Sequence, residues 1–187
     1  MDIDFFKNEI RNTLSKKRYE HSIRVLETAI TLGKIYKVDL NKVAIASLLH
    51  DYAKEFKRED LINLSKEHFS NETEEYLSNV EILHSYIGTY FASEKFNIKD
   101  PEILNAIKYH TTGRKNMSII EKIVYLADAI EPKRDYPYVE KIRDLSLINL
   151  DKAILLEVTK KIEYLLKENH VIHVNSIEMR NWLLKVS

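Results

Sequence analysis

Cysteine is absent from the 187 residues. That excludes disulfide frameworks, thiolate metal sites, iron–sulfur clusters and cysteine nucleophiles. Any transition metal must then be held by nitrogen and oxygen. Glycine and proline are scarce, at three each. Gly33, Gly88 and Gly113 stand alone, so the chain has neither a phosphate-binding loop nor a dinucleotide fingerprint. It also lacks a G-x-S-x-G elbow and an H-E-x-x-H pair. Net charge is zero, from 29 basic and 29 acidic residues, which gives no electrostatic drive toward nucleic acid or an anionic membrane. No apolar run approaches the roughly 20 residues of a membrane span. The start, MDIDFFKNEIRNTLSKK, lacks the basic-then-apolar order of a signal peptide. The expectation is a soluble, cytoplasmic protein without nucleic-acid or membrane partners.

Leu, Ile, Lys and Glu dominate what is present, and no Asn-Gly or Asp-Gly hairpin signal occurs. The pattern predicts an all-α chain. Helices are expected over about 2–13, 15–37, 39–51, 58–67, 84–96, 101–110, 118–130, 138–146, 151–168 and 176–185. The polar stretch SKEHFSNETEEYLSN reads as a loop with one helical turn. No repeat, low-complexity tract or linker divides the chain, so residues 1–187 are expected to form a single domain. A chain of this size buries roughly 70% of its unfolded surface and needs no structural metal to fold.

The informative positions are those where helical spacing predicts burial but a metal-ligating residue appears. His21 heads the stripe of Val25, Thr28 and Leu32. His50 shares a face with Val43 and Ala46, and Asp51 follows it. His84 lies with Val80, Ile87 and Phe91; His110 with Ile103 and Ile107; Asp128 with Ile120 and Val124. A buried carboxylate without a partner costs on the order of several kcal/mol or is neutralised. Each position alone has a plain structural reading: a histidine hydrogen-bonded in the core, or an aspartate salt-bridged to arginine. Their coincidence on several helices that can meet at a bundle centre favours a metal site. His68 and His170 sit in polar surroundings and read as surface residues.

The order His21, then LLHD ending in His50-Asp51, then Asp128 in YLADAIEP resembles the H…HD…D signature of HD-domain phosphohydrolases, over about residues 18–132. EHSIRV, LLHDYAK, LHSYIGTYFA, YHTTGR, YLADAIEPKRDYP and IHVNSIEMRNWLL resemble, more narrowly, the bacterial YqeK-like symmetrical diadenosine tetraphosphate hydrolases. The GYP-type motif of HD families that cleave cyclic dinucleotides is absent. The late segment departs from the resemblance, with Val174 after His173 where proline is expected.

The resemblance implies an HD-type helical bundle around a central pair of divalent ions. The implied metal is iron, with manganese, cobalt or zinc also suited to such ligands. One ion is implied at His21, His50, Asp51 and Asp128, and a second at His84 and His110, with Asp51 shared. The implied reaction is cleavage of the tetraphosphate into two ADP by metal-activated water. Lys54, Arg134 and Arg18 are candidates for phosphate oxygens, against the alternative of solvated basic residues. Thr111, Thr112 and Gly113 are candidates for the nucleotide site, with His173 and Arg180 for base or ribose. Two alternatives stay open: another HD-type nucleotidase or deoxynucleotide phosphohydrolase, and a metal- and nucleotide-binding sensor without turnover. Oligomeric state is unread, and a homodimer is open.

Overall fold

The computed structural model describes residues 2–186. Met1 and Ser187, the ends of the expected domain, lie outside the described residues. Among the described residues there are eleven α-helices, one 3-10 turn at Glu74–Tyr76 and no strand. The helices are α1 (Ile3–Thr13), α2 (Lys16–Ile35), α3 (Leu40–Leu49), α4 (Arg58–His68), α5 (Ser70–Thr73), α6 (Val80–Glu94), α7 (Pro101–Tyr109), α8 (Ile119–Ile130), α9 (Val139–Ser146), α10 (Leu150–Lys167) and α11 (Val174–Val186).

Side-chain caps start most of them. Asp2, Ser15, Asp39, Asn79, Asp100 and Asn149 each accept from backbone N–H groups of the following turn. Pro101 opens α7 at a position where a missing N–H costs nothing. Ser118 and Glu121 form a reciprocal capping box on α8. The scarcity of glycine is met by asparagine: Asn97, Asn116 and Asn169 take the left-handed conformation after helices or in turns.

Helix α2 packs against α3 and α8, and α7 lies across α3, α6 and α8. Val25, Ala29, Leu32, Val43, Ala46, Leu49, Ile107, Ile123 and Val124 fill the space between them and are essentially solvent-free. Helix α10 joins this core through Ala153, Ile154 and Val158, and packs on α8, α9 and α11. No helix among the described residues is long and apolar enough to cross a membrane.

Two boundaries differ from the sequence expectation. Helix α3 stops at Leu49, and His50-Asp51 enter a run of turns closed by three-residue bonds, such as Lys54 N–H to the Asp51 carbonyl at 2.9 Å. Helix α6 begins at Val80, one turn before His84, because Asn79 caps it. The polar stretch before it holds the end of α4, α5 and the 3-10 turn.

Candidate metal centre

His21 from α2, His50-Asp51 after α3, His84 from α6, His110 after α7 and Asp128 from α8 converge inside the bundle. The four histidines and Asp51 are all at least 94% buried, whereas the Asp128 side chain is 22% exposed and faces a cleft. Three overlapping donor sets arise: His21/His50/Asp51, His50/His110/Asp128 and Asp51/His84/His110. Within each set the donor atoms lie no more than 4.8 Å apart.

Asp51 organises the cluster. Its Oδ1 lies 3.1 Å from His84 Nε2 and 3.7 Å from His110 Nε2. Its Oδ2 lies 3.5 Å from His50 Nε2 and 3.7 Å from His21 Nε2, and accepts from Arg18 at 2.7 Å. Asp128 Oδ1 sits 3.1 Å from His21 Nε2 and 4.0 Å from His50 Nε2.

The outward nitrogens fix the tautomers. His50 Nδ1 donates to the Ser47 carbonyl and His110 Nδ1 to the Ile107 carbonyl, both at 2.7 Å. Nε2 of each ring is therefore turned toward the carboxylates and is a lone pair whenever the ring is neutral. Against its burial, Asp51 and Asp128 hold His50 above the ordinary histidine value. His21 Nδ1 faces Glu131 Oε1 at 3.2 Å, and Glu131 is held by Arg24 at 2.6 and 3.3 Å and by the Lys133 N–H at 2.8 Å. A carboxylate behind a histidine in this way orients the ring for a cation on its far side.

Burial pushes His110 down to about 4, so its ring is neutral. Burial would raise Asp51, but His50, His110 and His84 around it hold it well below the carboxylate range. Asp128 is likewise kept ionised against its burial, by His21 and Arg134. Lone pairs thus face ionised oxygens in a water-poor site. His21 Nε2 and His50 Nε2 are buried without a hydrogen-bond partner. This donor set fits a divalent cation of the kind that accepts nitrogen and oxygen ligands, and a cation is what would satisfy the orphaned lone pairs.

The cluster opens through His110, Asp128 and Arg134 into a cleft of about 840 Å³. Arg134 Nη2 donates to Asp128 Oδ1 at 2.5 Å and its Nε to the Asp128 carbonyl at 2.8 Å. Lys54 is near the rim, bound to Glu81 at 2.6 Å, and Glu81 lines the cleft. The Thr111 hydroxyl is 3.1 Å from His110 Nε2. Other candidates are engaged in packing. Thr112 is buried, and its carbonyl accepts from Ser176 at 2.7 Å. Gly113 has φ +63°, a backbone conformation that favours glycine, and a Cβ there would meet Met179 Sδ of α11 at 2.2 Å and push that side chain aside. His173 stacks on Tyr76 at 4.1 Å, and Arg180 donates to Thr159 at 3.1 Å. None of these four lines the cleft.

Glu131 and Arg24 escaped the sequence reading, although Arg24 lies one turn after His21 on α2 and could have been sought there. The cleft wall formed by 136–138 and α10 was also missed, because its residues look like ordinary solvated ones.

A helical bundle with a buried cluster of histidines and aspartates at its centre that could hold a metal ion, open to a cleft, defines an HD-type protein. The profile of the HD domain family matches residues 18–133. A Halalkalibacterium halodurans protein named "Bis(5'-nucleosyl)-tetraphosphatase, symmetrical" is 40% identical, over 94% of this chain and 93% of its own. A Bacillus subtilis protein of the same name is 32% identical, over 95% of each. A crystal structure from Clostridium acetobutylicum, described as a "predicted HD superfamily hydrolase involved in NAD metabolism", superposes with a TM-score of 0.94 at 37% identity, covering 100% of this chain and 99% of that one. The chain belongs to the HD-domain family and, within it, to the branch of these bacterial tetraphosphatases.

Proposed function

We propose that this protein is a metal-dependent hydrolase that cleaves diadenosine tetraphosphate symmetrically into two ADP. The observation that carries the reading is the division of Asp51: one oxygen faces His84 and His110, the other His21 and His50, beside a cleft large enough for a nucleotide. His21, His50, Asp51 and Asp128 would hold one ion, and His84 and His110 a second, with Asp51 shared. Iron is the proposed metal; manganese, cobalt and zinc suit the same donors. When bound, such a pair lowers the pKa of water and offsets charge on phosphoryl oxygens.

The protein's own groups do the positioning. Arg134 stands at the inner end of the cleft beside Asp128, where its planar fork can grip phosphate oxygens. Arg18 is placed the same way beside Asp51, and Lys54 stands at the rim. Thr111 offers a hydroxyl next to His110. These groups hold the chain so that an inner phosphorus faces the attacking water. The central P–O–P link then breaks; the water oxygen stays on one ADP and the other ADP leaves. The sequence offers no serine or cysteine nucleophile motif, which supports direct attack by water. We read the chain as one domain that acts in the cytoplasm. Metal-loaded protein incubated in parallel with diadenosine tetraphosphate, ADP and deoxynucleoside triphosphates tests it. Turnover of the dinucleotide well above the others is expected. Preference for a single nucleotide would instead mark a nucleotidase or deoxynucleotide phosphohydrolase, and binding without turnover a sensor.

A further inference from the structure

The cleft is also lined by the segment Tyr136, Pro137 and Tyr138 and by Lys160, Lys161 and Tyr164 from the later part of α10, and nothing in the reaction above uses these residues. Tyr138 is unusual in its backbone. It sits at φ +75°, directly before α9, and its side chain makes no capping bond. A bulky aromatic is disfavoured in that conformation. The other described residues with positive φ are Lys37, Asn97, Gly113, Asn116 and Asn169, and only Tyr138 places an aromatic there. The ring is only half-buried, since Tyr138 is 52% exposed. Strain of this kind, in a side chain that stays half-exposed, is found at ligand clamps.

Its surroundings suit a nucleotide. Lys160 Nζ lies 4.6 Å from the Tyr138 ring centroid and is tied to Glu163 at 2.7 Å. Lys161 donates to the Thr111 carbonyl at 2.7 Å, lies 5.2 Å from the Tyr125 ring centroid and acts on the buried Glu157 carboxyl, but no carboxylate is within salt-bridge distance of it among the described residues. Tyr136 is anchored by its hydroxyl to the Ala129 carbonyl at 3.0 Å, which fixes the segment to the end of α8 that carries Asp128. The cleft therefore offers Arg134 beside Asp128, Lys161 beside Thr111, and the half-exposed ring of Tyr138. We infer that Tyr138 is the stacking platform for one nucleobase of a dinucleoside polyphosphate, with Lys161 meeting the phosphates between that base and the metal cluster. The inference rests on the hydrolase reading above for its ligand class.

Calorimetric titration of metal-loaded protein with ADP and, separately, with inorganic pyrophosphate tests it. Tyr138→Gly is the central variant, because glycine adopts the left-handed backbone freely and the turn should fold unaltered. ADP is expected to bind Tyr138→Gly about tenfold more weakly, in line with the loss of one stacked base. Pyrophosphate should bind within about twofold of the parent, and Tyr138→Phe should keep ADP affinity, because the ring face and not the hydroxyl is used. Unchanged ADP affinity in Tyr138→Gly would overturn the inference, and so would a parallel loss of ADP and pyrophosphate. Selective weakening of ADP in a protein that does not cleave diadenosine tetraphosphate would uphold the platform and remove the hydrolase reading. Normal cleavage with normal ADP affinity in Tyr138→Gly would do the reverse.

Discussion

At Asp51 a single carboxylate faces two histidine pairs, one on each oxygen. Asp51→Ala is therefore expected to abolish turnover and to lower metal affinity by at least the 10–100-fold typical of a supporting group. Metal analysis after gel filtration checks this, and full occupancy with a normal rate would contradict it. Glu131→Gln tests orientation rather than ligation. The amide keeps the shape but removes the charge that His21 Nδ1 and Arg24 share. Metal affinity measured by chelator competition should fall roughly 10-fold or more; an unchanged value would make Glu131 a packing residue. At this scale the sequence was most readable where polarity broke an apolar stripe. His21, His50, Asp51, His84, His110 and Asp128 were singled out that way, and the fold brings them into one cluster. Thr112, Gly113, His173 and Arg180 were not readable, because contacts such as Ser176 to the Thr112 carbonyl join segments far apart in the chain.

Among the elements, α11 carries an unusual start. His173 Nδ1 accepts from the Asn175 N–H at 3.1 Å, so the ring acts as the helix cap and must be neutral. Burial pushes its pKa from 6.5 down to about 4. The unfolded chain then binds the proton more readily than the folded one. The resulting stability is fully present above pH 6.5 and is lost as pH falls toward 4. His173→Asn keeps a capping acceptor but does not titrate. Melting temperature followed from pH 7 to pH 4 should fall more steeply in the parent than in this variant; parallel curves would contradict the cap. Helix starts with an aspartate, serine or asparagine cap were legible, as at Asp39, Asp100 and Ser118. The start of α11 was not, since histidine is no habitual cap, and the start of α6 was placed a turn late because Asn79 is embedded in a polar stretch.

For the whole molecule, the cluster places histidine nitrogens and ionised oxygens at the junction of α2, α3, α6, α7 and α8, so a metal ion bound there is expected to stabilise the fold. With free metal at about 100 times Kd, linkage contributes about 2.7 kcal/mol. In a chain of this length that corresponds to a melting temperature about 5–10 °C higher. Scanning calorimetry of loaded and chelator-treated protein measures it, and coincident transitions would mean that the cluster binds no ion. The all-α architecture was legible from scarce glycine and proline and from apolar spacing. The cleft was not, because it is made by the way α10 and residues 136–138 face one another across the end of α8. In the proposed reaction water attacks an inner phosphorus of the substrate. Diadenosine tetraphosphate hydrolysed in isotopically labelled water, with products separated by chromatography at an early time point, tests it most directly. The expected result is ADP alone, with solvent oxygen in one ADP of each pair. AMP and ATP in equal amounts would contradict symmetrical cleavage.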